Sequence, residues 1–189
     1  MTEPQRERGM SSLKQCTGYL RELGVDDVPH TNKTYLGHLI AVHNKLAAWG
    51  CPPDVCLAGL FHSIYGTELF QGFKLGEDRR SELVAIIGAR AEKLAYVNCF
   101  MDRATLDAAA LLACGPYAVR HRESGEMVPL TDAEFDDLCR VHLADYLEQV
   151  PRSGSWDYRR DGYRALAERL RGEALADYSR TIALQPAAG

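Results

Sequence analysis

At 189 residues the chain is long enough to bury a full core without disulfide or metal staples, and it reads as one domain over 1–189. With 46% hydrophobic and 25% charged residues it sits in the ordinary globular range, and a net charge of −4 excludes a general nucleic-acid binder, which needs a basic surface. No run approaches a membrane span and the polar start Met1–Gly9 lacks a signal-peptide core, so the expectation is a cytoplasmic protein with no membrane partner.

Residues 1–10 are charged and featureless and read as a mobile terminus. Ser11 or Ser12 then caps a first helix that runs to about Leu23, with Gly24 as its stop. Val25–Lys33 is a polar loop. Thr34 caps a second helix, Tyr35–Trp49, whose Leu36, Leu39, Ile40, Val42 and Leu46 form one broad apolar side. His38 stands at the edge of that side and His43 on its flank.

The third helix is the apolar stretch Val55–Thr67, opened by Pro52 and Pro53 and closed by Gly66. At helical spacing His62 stacks over Ala58 and Gly59, and two side chains that small leave open space beside the imidazole. Taken alone, His62 also reads as a core histidine satisfied by its neighbours. Glu68–Glu77 is a loop around two phenylalanines, either a lid or a plug for the core.

Helices follow at Glu77–Ile87, Ala89–Asp102 and Thr105–Ala113, then a β-hairpin within Tyr117–Leu130 around a Glu-Ser-Gly-Glu turn. Thr131-Asp-Ala-Glu134 has the form of a capping box and opens a long helix to about Val150 that carries His142, Asp145 and Gln149 at one-turn intervals. Trp156–Leu170 and Ala174–Leu184 are closing helices. The cysteines at 16, 51, 56, 99, 114 and 139 form no CxxC pair and read as small core residues of a reducing compartment. Arg120, His121 and Arg122, with Arg159 and Arg160, offer local anion sites.

The local texts Thr-Tyr-Leu-Gly-His38, Ala-Gly-Leu-Phe-His62-Ser63 and His-Leu-Ala-Asp145-Tyr-Leu-Glu resemble the HD superfamily, above all the hydrolase domain of the alarmone (guanosine polyphosphate) hydrolases. The resemblance covers about Asn32–Thr67 and Val141–Gln149. It is similar more narrowly to a group of bacterial proteins with His-Ser in place of His-Asp, a match that names no activity. It implies an all-α, HD-like helical bundle with a minor β-hairpin. It also implies a divalent ion (manganese, iron or zinc, one per chain) on His38, His62 and Asp145.

Where the family has an aspartate after the second histidine this chain has Ser63, and where the alarmone hydrolases carry a Glu-Asp pair it reads Tyr65-Gly66. Two acidic groups tied to that hydrolysis are missing, so alarmone hydrolysis is not expected. Two imidazoles and one carboxylate still suit catalytic zinc with an open position, or non-haem iron.

The expectation is a metal-dependent enzyme of degenerate HD type acting on a small metabolite, neutral or anionic, hydrolysis being the commoner chemistry of the superfamily. Its rivals are a non-haem iron(II) oxygenase on the same residues and a non-catalytic binding protein. Tyr65 is a candidate proton donor. His142 is either a further ligand or a residue that orients Asp145. Ser63 is a candidate substrate contact, and Lys33, which with Asn32 precedes the His38 helix, is a candidate contact for an anionic substrate.

Overall fold

The computed structural model describes residues 4–30 and 33–186, with side chains from Leu13 to Val28 and from Lys33 to Pro186. Among these the protein is all-α with minor hairpins. The helices are α1 (Pro4–Glu22), α2 (Tyr35–Ala48), α3 (Pro53–Leu60), α4 (Arg80–Ile87), α5 (Ala89–Phe100), α6 (Arg103–Ala110), α7 (Asp132–Ser153), α8 (Arg160–Leu170) and α9 (Gly172–Ile182). Two antiparallel pairs accompany them, β1 (Pro29–His30) with β2 (Lys33–Thr34) and β3 (Tyr117–Arg120) with β4 (Met127–Leu130). None of the described helices is long and apolar enough to cross a membrane.

The spine is α7. Every residue from Val141 to Glu148 is buried, and the helix packs against α2, α3, α5, α8 and α9. Its start is the predicted capping box: Thr131 Oγ1 accepts from the Glu134 amide at 3.3 Å while a Glu134 carboxylate oxygen accepts from the Thr131 amide at 2.9 Å. The helix runs past Val150 through Pro151 to Gly154, whose φ of 68° permits the left-handed stop. Proline is tolerated in this last turn, and Arg152 Nη1 donates to the Glu148 carbonyl at 2.7 Å, so the side chain serves the exposed end.

Thr34 caps α2 as expected, accepting from the Gly37 amide at 3.1 Å. The first helix differs from the expectation: its backbone begins at Pro4, so Ser11 and Ser12 lie inside it and not at its cap. Proline suits a first helical turn, and the straight-chain residues after it favour helix. Residues 1–3 and Asn32 lie outside the described residues. The segment after Ser155 turns before it becomes helical, so α8 begins at Arg160 and not at Trp156.

The largest departure is at α3. The helix ends at Leu60, and residues 61–65 continue as successive turns to Gly66, whose φ of 78° reverses the chain. Leu75 donates its amide back to the Ile64 carbonyl at 2.8 Å, and Phe70 packs on Tyr35 with ring centroids 4.6 Å apart. The 68–77 loop therefore both plugs the core and supplies a rim.

Gly59 also has a different purpose from the one its size suggests. A Cβ there would stand 2.3 Å from Leu46 Cδ1 and 3.4 Å from Val42 Cγ1, so the missing side chain lets α3 close on α2 and opens no space at His62. Gly59→Ala should gain about 1 kcal/mol of helix propensity but lose about 1–3 kcal/mol by forcing the fully buried Leu46 to move. Overpacking wins, and thermal unfolding should move down by about 2–4 °C for a net loss of about 1 kcal/mol. An unchanged or raised melting temperature would show that Leu46 relaxes freely.

Candidate metal centre

Three elements bring His38, His62 and Asp145 together. α2 supplies His38, the turn after α3 supplies His62, and α7 supplies Asp145, all of them buried. His38 Nε2 lies 3.1 Å and His62 Nε2 3.3 Å from Asp145 Oδ1, and the two Nε2 atoms are 3.3 Å apart. Three ligands bonded at about 2.0–2.1 Å to one tetrahedral ion stand about 3.3–3.4 Å from each other. The group could hold a metal ion.

The far sides of the two rings fix what the near sides offer. His62 Nδ1 is 2.8 Å from the Gly59 carbonyl oxygen, which can only accept, so Nδ1 carries the proton. His38 Nδ1 is 2.5 Å from Glu148 Oε2. Burial opposes ionisation of Glu148, but the bonds from His38, Arg152 and Lys33 outweigh it and hold its pKa down at about 2. Glu148 is thus an acceptor too, and His38 Nδ1 donates. Both Nε2 atoms therefore turn a lone pair toward a carboxylate oxygen that has only lone pairs to give. Three acceptors this close need a cation or a proton among them.

The titration behaviour agrees. Burial alone lowers the pKa of His38, yet its bonds to Asp145 and Glu148 prevail and raise it. Burial likewise opposes ionisation of Asp145, but His62 and His38 hold its carboxyl well below the usual range.

His62 is held where it is by α5. Asn98 Nδ2 donates to the His62 carbonyl at 2.8 Å and Cys99 Sγ to the same oxygen at 3.2 Å. In a continuing helix that carbonyl would accept from the Gly66 amide, which instead bonds Ser63 at 2.9 Å. Asn98 is in turn set by His142, whose Nδ1 donates to Asn98 Oδ1 at 3.2 Å while its Nε2 accepts from Arg159 at 2.8 Å. Arg159, at the strained φ of 45°, is clamped by two bonds to Asp107 at 2.8 and 2.5 Å.

This corrects the reading of His142. It is neither a ligand nor the orienting partner of Asp145: it sits one turn earlier on α7, toward α5 and the start of α8. Burial, with Arg103 and Arg159 nearby, pushes its pKa well below the ordinary value and keeps it neutral. Two other expectations are corrected. The Tyr65 hydroxyl donates to Glu92 at 2.9 Å, itself gripped by Arg80, and burial, reinforced by Glu92, raises its pKa. Tyr65 does not line the cavity beside the triad. Lys33 donates to Glu148 at 2.8 Å, so its charge is spent on the carboxylate behind His38.

Ser63 does reach the site. It lines that cavity and shares a hydrogen bond of 2.9 Å with the Tyr35 hydroxyl. The cavity has a volume of about 390 Å³. Its outer edge includes the exposed residues Leu69, Ser153 and Ser155. Gln149 lines it and donates to Asp145.

Sequence reasoning missed Glu148, Asn98 and Arg103. Glu148 follows Asp145 by three residues, the spacing that returns to the same helix face, and was the one of these with a readable signal. The cationic residues singled out in sequence do not gather: Arg159 is on Asp107, Arg160 is on Asp157 at 2.6 Å, and Arg122 spans the Cys99 carbonyl and Glu123.

Residues 19–103 match the family model described as "Domain of unknown function (DUF6817)". The matched stretch carries His38 and His62, while Asp145 and Glu148 lie beyond it. No curated protein and no solved structure matches the chain.

Proposed function

We propose that this protein is a metal-dependent enzyme with a degenerate HD-type site, one divalent ion per chain, acting on a small molecule in the adjoining cavity. The observation that carries the reading is the set of three inward lone pairs on His38, His62 and Asp145, with outward protons fixed by Gly59 and Glu148. A divalent ion held by these three residues would supply Lewis acidity and water activation near neutral pH beside the cavity. Hydrolysis follows from that chemistry and from the habits of the superfamily the motifs resemble.

The chain's own residues then have definite parts. Asp145 offsets charge, and Gln149 holds its carboxylate in place. Glu148 keeps His38 in the tautomer that donates outward, the arrangement that raises a ligand's basicity. Ser63 offers its hydroxyl to a bound substrate from the wall. Neither Tyr65 nor His142 reaches the cavity, so proton delivery falls to groups that do.

The test is metal analysis of freshly purified protein, followed by reconstitution with zinc, manganese or anaerobic iron(II). About one ion per chain, with turnover of small esters, amides or phosphoesters by the zinc or manganese form, is the expected result. Oxygen uptake confined to the iron form would replace hydrolysis by an oxygenase on the same three residues. Failure to take up any ion would leave a non-catalytic binding protein.

A further inference from the structure

Among the described residues Arg103 is the most buried arginine, and it stands in the cavity wall. Arg103 opens α6, is 8% exposed, and lines the cavity together with the triad. Its Nη1 donates to the Tyr158 hydroxyl at 2.8 Å and its Nη2 approaches Thr67 Oγ1 at 3.5 Å, both neutral partners. Among the described residues the carboxylate it pairs with is that of Glu68, 3.5 Å from Nε, on a residue of the 68–77 loop whose side chain is half exposed.

Arg159 shows what the same protein does with a structural arginine, which is to clamp it on Asp107 by two short bonds. Buried guanidinium groups are ordinarily neutralised in that way, because an unpaired charge out of water is costly. Arg103 lacks such a clamp, and it faces space.

The electrostatics of the wall point the same way. Among the described residues that line it Asp145 is the only acidic one, and that carboxylate is committed to the two histidines. With a divalent ion on the triad the cavity is net positive. A neutral substrate would leave that charge unanswered, whereas an anionic one would answer it at a planar fork suited to carboxylate or phosphate. Tyr158 aims the fork, and Glu68 approaches it from the loop at 3.5 Å without lining the cavity.

We infer that Arg103 is a substrate-anchoring residue, and that the substrate is a small organic anion whose carboxylate or phosphate sits on Arg103 while its reacting bond faces the His38–His62–Asp145 group. This rests on the reading of that group as a metal site. Binding would exchange the long contact to Glu68 for a charge-assisted pair inside the cavity.

The experiment titrates inorganic phosphate, acetate and the neutral metal ligand imidazole into zinc-loaded full-length protein. Wild type is compared with Arg103→Gln, Arg103→Lys and Glu68→Gln, and zinc content is measured in each sample. Arg103→Gln should weaken anion binding by about 10- to 100-fold, the scale of a lost charge-assisted contact, and leave zinc content and imidazole binding unchanged. Arg103→Lys should recover part of the loss. Glu68→Gln should tighten anion binding by removing a competing carboxylate.

Whether phosphate or acetate shows the stronger dependence on Arg103 tells a phosphate ester from a carboxylic acid. Unchanged affinity for both anions in Arg103→Gln and Glu68→Gln, with zinc retained, overturns the inference. If the wild type takes up no zinc, the metal reading has failed by itself, and the anion titrations are repeated on the metal-free protein. Dependence on Arg103 there supports the anchor, and independence overturns it. If Arg103→Gln does not unfold cooperatively, Glu68→Gln and Tyr158→Phe decide, the latter by weakening anion binding.

Discussion

His62→Ala should abolish stoichiometric metal binding while leaving a folded protein. The residue is past the end of α3, so the substitution leaves the helix's backbone hydrogen bonds intact, and its own backbone is held independently by Asn98 and Cys99. What the substitution removes is one of three inward lone pairs. The loss in affinity should exceed about 100-fold, beyond the 10- to 100-fold typical of a residue that only orients a ligand. Stability without metal should fall by about 1–3 kcal/mol, because truncation leaves a small cavity and frees the Gly59 carbonyl of its partner.

A chelator separates these two effects. At an ion concentration about 100 times the dissociation constant, binding adds about 2.7 kcal/mol to the wild type. For a chain of this size that corresponds to about 5–10 °C in melting temperature, which the chelator should remove. The variant should melt lower and show no response. A wild type indifferent to chelator, or a variant that still responds, would mean that His62 is a core histidine and not a ligand.

How much of this was legible depends on whether the cause was local. Thr34 and the Thr131/Glu134 pair announce their helices because a cap is a contact between neighbours in sequence. The hairpin was readable for the same reason. The convergence of His38, His62 and Asp145 was readable only through the flanking texts of a resembling family, since nothing in the spacing places α7 against α2 and α3.

The end of α3 was not readable. Local signals favour helix up to Gly66, yet two side chains from α5 take the His62 carbonyl, and a tertiary donor prevails over propensity. The same blindness explains Lys33, Tyr65 and His142. Each has the right chemistry for a site, and each is claimed by a partner distant in sequence, Glu148, Glu92 and the Asn98–Arg159 pair. Arg103 is the converse case. Its importance lies in the weakness of its ion pairing, which no sequence pattern displays.

Glu148→Gln gives the sharpest test of how the site is tuned, because it changes charge with almost no change in shape. Glu148 receives His38 at 2.5 Å, Arg152 at 2.6 Å and Lys33 at 2.8 Å. A glutamine can keep its carbonyl oxygen toward His38 and Arg152, which leaves its amide group facing Lys33. Lys33 is partly exposed and can turn to water, so the fold should lose only about 1–2 kcal/mol.

The metal site should lose more. A neutral amide accepts more weakly from His38 Nδ1, so the ring is less basic at Nε2 and its orientation is less firmly held. Affinity for the ion should drop by about 10- to 100-fold without a change in stoichiometry at saturation. That pattern, weaker but still one ion, is what distinguishes an orienting carboxylate from the ligand loss of His62→Ala.

The stability difference carries its own sign in the metal-free protein. Glu148 has its pKa lowered to about 2 in the folded state, against about 4.3 for an unperturbed glutamate. Its ionic contribution is therefore complete above the unfolded value and is lost as pH falls from there through the folded one. Wild type and Glu148→Gln should differ in denaturant midpoint at pH 7 and converge as pH falls below about 4. A difference that persists undiminished in acid would mean that glutamine fails by packing, and that the charge of Glu148 contributes nothing to His38.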